Sequence, residues 1–129
     1  MDAHELIDLM PFSTECAVVL EEAGPERVVG KLEWAPRLCT SSGVLHGGAI
    51  MTLADSLGAI CAFLNLPQGA STSTIESKTN FFRAVRGGAV HATARPLHRG
   101  RTTIVVQTDL VDDNRRPVAH VVQTQAVIV

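Results

Sequence analysis

Residues 43–63, GVLHGGAIMTLADSLGAICAF, form an almost unbroken apolar run headed by His-Gly-Gly and interrupted once, by Asp55. Ala, Leu, Met and Ile fall on nearly every side of a helical wheel here. That pattern predicts a buried helix from about Gly48 to Leu64, ended by Pro67 and Gly69. A helix with so little polar face must be wrapped by the rest of the chain. After residue 70 the sequence supplies the wrapping: STIESKTNFF, GAVHATARPL, TTIVVQTDLV and RPVAHVVQTQAVIV are rich in Val, Ile and Thr, and turns bearing Gly, Asp or Asn separate them. Residues 15–22 and 26–34 predict two further strands around the turn AGPE. A short helix is expected over 3–9, with Leu6, Ile7 and Met10 on one side and Pro11 as its stop. Sequential hairpins and one long helix predict an α+β fold, a curved antiparallel sheet of about six strands around a central helix. Gly58 inside that helix predicts a close approach by neighbouring backbone. Apolar residues left on the outer face of the sheet predict self-association.

The 129 residues suit a single domain spanning 1–129. A net charge of −2 provides no bulk field for nucleic acid. Three cysteines, Cys16, Cys39 and Cys61, are odd in number and lack CxxC spacing, which speaks against a disulfide framework or a structural zinc site. The start, MDAHELIDLM, lacks the features of a signal peptide, and Asp55 and Asn65 break the longest apolar run below membrane-spanning length. The expected setting is cytoplasmic, with no membrane partner. His4, His91, His98 and His120 show no ligand spacing, so no metal site is expected. No Ser-His-Asp triad, P-loop or dinucleotide fingerprint is present.

Asp55 needs an explanation. A buried, unpaired carboxylate costs several kcal/mol, and a position two turns into a helix excludes capping. Either the helix carries one wet stripe of Thr52, Asp55 and Ser56, or the acid is used. At the helix head, glycines let a substrate approach amides that have no partner inside the helix, and the dipole there favours negative charge. An oxyanion or polarised carbonyl would be stabilised there. Seven residues separate Gly48 from Asp55, about 10 Å at 1.5 Å per residue. A nucleophile and an oxyanion donor must each lie within about 3 Å of the reacting group. One helix therefore cannot bring both ends of the motif to one carbonyl, whereas two antiparallel copies related by a two-fold axis can. If the motif is catalytic, the site spans a dimer and occurs twice in it.

LHGGAIMTLAD, followed by NFFRAVRGG and RPLHRGRTT, resembles the hotdog-fold acyl-CoA thioesterases, in particular the branch of phenylacetyl-CoA and 4-hydroxybenzoyl-CoA thioesterases. The resemblance runs from about Gly43 to the C-terminus, and more loosely to the start, and implies a hotdog fold paired as homodimers; a homotetramer, as a dimer of dimers, is the expected larger assembly, with its arrangement left open. It implies hydrolysis of an acyl-CoA thioester to free acid and CoA, with no cofactor. Asp55 would attack the thioester carbonyl or activate a water. The Gly47 N–H would polarise the carbonyl, and His46 would orient the loop or contact the thioester. Thr40 stands where many relatives carry Asn or Gln, six residues before the His, and Ala59 where some carry Ser or Thr. Gly48 and Ser56 are expected at the substrate, and Leu57, Ile60 and Phe63 along an apolar acyl pocket. Trp34 and the four phenylalanines are expected in the core or on pocket walls.

CoA brings phosphates. Arg83 and Arg86 flank one turn, Arg99 and Arg101 another, and their planar donor forks suit phosphate, so the four are expected at one mouth. A dehydratase of the same fold would need a His and an acid in other motifs, which are missing. The alternative of another class is a non-catalytic acyl-CoA-binding or sensor domain.

Overall fold

The computed structural model describes residues 2–129. Its described elements run α1 (Ala3–Asp8), α2 (Pro11–Glu15), β1 (Val18–Ala23), β2 (Val28–Glu33), α3 (Gly47–Phe63), β3 (Ser71–Phe81), β4 (Ala89–Arg99), β5 (Thr103–Val111) and β6 (Pro117–Ile128). The strands form one antiparallel sheet in the order β1-β2-β4-β5-β6-β3. This is the expected α+β architecture, a curved six-stranded sheet with one main helix. No helix among the described residues is long and apolar enough to cross a membrane.

α3 lies across the sheet, chiefly against β4, β2 and β5. Leu53 and Leu57 are fully buried, as are Val28 and Leu32 of β2, Val90 of β4 and Val106 of β5. Fully burying side chains of this size stabilises by about 1.5–3 kcal/mol each before conformational entropy is counted. Gly30 of β2 lets the layers close: a Cβ there would meet the Leu57 methyls at 3.1 and 3.2 Å and the Val19 carbonyl oxygen at 2.6 Å.

Three expectations need correction. The helix is not buried all round. Met51, Asp55 and Phe63 are exposed and Ala59 is half-buried, which makes a four-residue-spaced stripe that the sheet leaves uncovered. Pro11 both ends α1 and opens α2, because its fixed φ and missing N–H fit the first position of a helix. The neighbour that requires Gly58 is a side chain rather than backbone. A Cβ on Gly58 would stand 2.0 Å from Gln123 Oε1 and 2.4 Å from Gln123 Cδ.

At the edge of the sheet, all eleven residues of β3 are exposed or half-exposed. Its one strand neighbour is β6, so its outer row of N–H and C=O groups is open. At the far end of β5, the turn to β6 is held by Asp112. The backbone N–H of Arg116, assisted by that of Asn114 and by the Arg116 guanidinium, holds the Asp112 carboxyl below the ordinary carboxylate range.

Candidate active site

His46 is the N-cap of α3. Its extended backbone (φ −62°, ψ 134°) turns the chain into the helix, and its Nδ1 accepts the Gly48 N–H at 2.7 Å. Its carbonyl oxygen accepts the N–H groups of Ala49 and Ile50. The Gly47 N–H has no acceptor among the hydrogen bonds of the described residues. The helix head thus presents one uncommitted amide at the positive end of the dipole. Gly47 lines a cleft of about 330 Å³ with Thr40, Phe81, Phe82 and Arg83.

Asp55 opens into a different cleft, of about 630 Å³, walled by Met10, Phe12, Met51 and Thr52 and by Thr74 and Ser77 of β3. Its Oδ1 lies 3.2 Å from Gln123 Nε2 and 3.3 Å from Thr74 Oγ1. Eight residues of helix separate Gly47 from Asp55, about 12 Å along the axis. Within one chain Gly47 and Asp55 line different clefts, while Gly48, the next residue of the helix head, lines the Asp55 cleft.

The other expected site residues divide between the Asp55 cleft, which Gly48 also lines, and other parts of the fold. Ser56 is buried, and its hydroxyl donates to the Thr52 carbonyl at 2.6 Å and accepts from Ser13 Oγ at 2.6 Å. With its proton committed, it tethers α2 to α3, and it also lines the Asp55 cleft. Leu57 points into the core, so the apolar wall beyond Asp55 is made by Ala59, Ile60 and Phe63 of α3 with Leu6, Leu9 and Met10, and Thr72 of β3 lines the same cleft. The four arginines share no mouth in one chain. Arg83 and Arg86 follow β3 at the helix-head end, where the Leu45 N–H bonds to the Val85 carbonyl. Arg99 and Arg101 lie at the helix-tail end, where Asn65 bonds to the Pro25 carbonyl and Arg99 pairs with Glu26. The β4 register, Val28 against Ala94, carries Arg99 away from the helix head. The phenylalanines line clefts at the surface rather than the core.

Gln123 and Gln125 escaped the sequence reading. Both are buried and lie beneath Asp55, where Gln123 Nε2 also donates to Gln125 Oε1 at 3.1 Å. In VVQTQAV they alternate in step with Val121, which the structure buries, but Val118 and Val122 stand on the other phase, so the pattern alone did not mark this face as the inner one. Cys61 offers no competing nucleophile, because burial pushes its thiol up to about 11.

A capped helix head with an open amide, and an acid set into the same helix against a curved sheet, define a hotdog-fold thioesterase. The chain belongs to the thioesterase superfamily, whose family model matches residues 42–119. It is similar to Rv1847 of Mycobacterium tuberculosis, 34% identical over 114 residues that cover 86% of this chain and 81% of that one. It is also similar to the 1,4-dihydroxy-2-naphthoyl-CoA hydrolase of Escherichia coli, 34% identical over 74 residues covering 57% and 54%. Among solved structures, a mutant of the thioesterase PA1618 from Pseudomonas aeruginosa superposes with a TM-score of 0.93 at 29% identity, over 99% of this chain and 94% of that one.

Proposed function

We propose that this thioesterase hydrolyses aryl-, aryl-acetyl- or medium-chain acyl-CoA to free acid and CoA, at two equivalent sites shared between the protomers of a homodimer. The carrying observation is that Gly47, whose N–H has no acceptor among the described residues, and Asp55 line separate clefts of one chain. The open edge of β3 and the exposed stripe of Met51, Asp55 and Phe63 supply a surface on which a second copy can lie antiparallel. In that arrangement the Gly47 N–H of one protomer donates to the thioester oxygen while Asp55 of the other faces its carbon. Charge developing on the oxygen is stabilised by an amide already oriented by the His46 cap.

Asp55 acts in one of two ways. As nucleophile, its carboxylate displaces CoA thiolate to give a mixed anhydride, which water then opens. As general base, it takes a proton from the attacking water, and the thiolate leaves from the same tetrahedral species. Neither course needs a cofactor. Thr40 and Arg83 stand beside Gly47, so the hydroxyl is placed to orient substrate and the guanidinium, with Arg86 at the same end, to meet phosphate. The apolar wall of Ala59, Ile60 and Phe63 suits an acyl group without charge. Dimers pairing into tetramers, and a cytoplasmic setting where acyl-CoA is made and spent, complete the proposal.

The test is thiol release from benzoyl-, phenylacetyl-, octanoyl- and acetyl-CoA. Turnover of the first three at least tenfold above acetyl-CoA in kcat/KM is expected. Tight binding of all four with no release above background would overturn the proposal.

A further inference from the structure

Beneath Asp55 lies a chain of hydrogen bonds whose direction is fixed from its far end. The Thr72 hydroxyl on β3 donates to the Ala126 carbonyl at 2.8 Å. Its only proton is thereby used, so Thr72 Oγ1 can only accept from Gln125, and it does so from Nε2 at 3.2 Å. Gln125 must then turn its Oε1 toward Asp55. That oxygen accepts from Gln123 Nε2 at 3.1 Å and from Thr74 Oγ1 at 2.6 Å. Gln123 in turn must present its NH₂ on that side, and the second N–H of the group reaches Asp55 Oδ1 at 3.2 Å. The amide oxygen of Gln123 is left facing the Gly58 notch, buried and without a hydrogen-bond partner.

Leaving a buried amide oxygen without a partner destabilises the fold. Turning the amide over would bring that oxygen against the Asp55 carboxylate and the Gln125 oxygen, two acceptors. The fold therefore tolerates an orphan in order to aim a donor at Asp55. We propose that Gln123 and Gln125 are positioning residues for the acid. Thr72 sets the polarity of the pair, so that Gln123 always donates to Oδ1, pins the carboxylate in one rotamer and leaves Oδ2 to do the chemistry. The proposal rests on Asp55 being the reactive acid. It adds that an amide pair spanning α3, β6 and the edge strand β3 acts through that acid without touching substrate.

The experiment compares steady-state kinetics of Gln123→Met, Thr72→Val, Thr72→Ser and Asp55→Asn on whichever acyl-CoA the wild type turns over best, with melting temperature as the check on folding. Gln123→Met keeps the length and loses the donor. Its kcat is expected to fall about tenfold with KM within twofold of wild type, because binding is untouched and the ready rotamer is lost. Thr72→Val removes the polarity lock two links away and is expected to lower kcat about threefold. Thr72→Ser restores the hydroxyl and the rate, which a purely steric role for Thr72 would not reproduce. Wild-type kcat in a folded Gln123→Met protein would overturn the proposal, and so would equal rates in the Thr72→Val and Thr72→Ser proteins. Should Gln123→Met fail to fold, the Thr72 pair decides alone. A wild-type rate in Asp55→Asn would instead overturn the role of the acid itself, whatever the amides do.

Discussion

Asp55→Asn is expected to slow thioester hydrolysis by about 10³-fold, within the range that removal of an essential acid–base group costs, while leaving the fold in place. The carboxamide has the same shape, and its oxygen can still accept from Gln123 Nε2, which now donates to Oδ1 at 3.2 Å. Asp55 is exposed in the single chain, so no core packing depends on it. What is lost is a lone pair able to attack carbon or take a proton. Thiol release under saturating acyl-CoA measures the loss, and a melting temperature within a few degrees of wild type shows that it is chemical. A variant retaining a tenth or more of the wild-type kcat/KM would mean that the reaction does not pass through this carboxylate.

Gly58→Ala is expected to damage both stability and rate, although it adds one methyl group. Built on the backbone, that Cβ overlaps the Gln123 amide at 2.0 Å from Oε1, 2.4 Å from Cδ and 2.8 Å from Nε2. Gln123 is fully buried, so it has no free space to retreat into. Overpacking of this kind costs about 1–3 kcal/mol, offset in part by the roughly 1 kcal/mol that Ala gains over Gly in a helix. The melting temperature should drop by several degrees. Because the displaced amide is also the one that holds Asp55, kcat should fall by about tenfold. Shortening the partner, as in Gly58→Ala with Gln123→Ala, should recover stability and leave the rate low. A Gly58→Ala protein as stable and as fast as wild type would show that the amide does not occupy this notch.

The helix, its His-Gly-Gly head and the six strands were legible because each rests on a local rule. Apolar density marks α3, with His-Gly-Gly at its head, and turn residues punctuate β3 to β6. The separation of Gly47 from Asp55 followed from helical rise alone. What the sequence hid was everything that depends on which face of a strand is covered. Val118, Val121 and Val122 put apolar side chains on both faces of β6, so the phase of Gln123 and Gln125 named no inside. Ser56 read as a wet-stripe residue, because a second helix only five residues long, started by Pro11, was needed to cover it. The arginines read as one cluster because hairpin ends look alike in sequence. The strand register sends Arg99 and Arg101 to the tail of α3 and leaves Arg83 and Arg86 at its head.

The most direct measurement of a site shared between two chains is complementation between two inactive proteins. Asp55→Asn lacks the acid. Gly47→Pro lacks the amide hydrogen, and proline suits this first helical position, where the preceding His46 backbone is already extended at ψ 134°; its Cβ would stand 3.1 Å from the ring of Phe81, an exposed side chain that can give way. When the two proteins are mixed, unfolded and refolded together, half of the dimers formed at random contain one of each. Every such dimer holds one site with both its acid and its amide intact. The account predicts that activity returns to about a quarter of the wild-type value per protomer, from two proteins that are each inactive alone. No recovery in a mixture shown to contain mixed dimers would contradict it, since acid and amide would then have to come from the same chain.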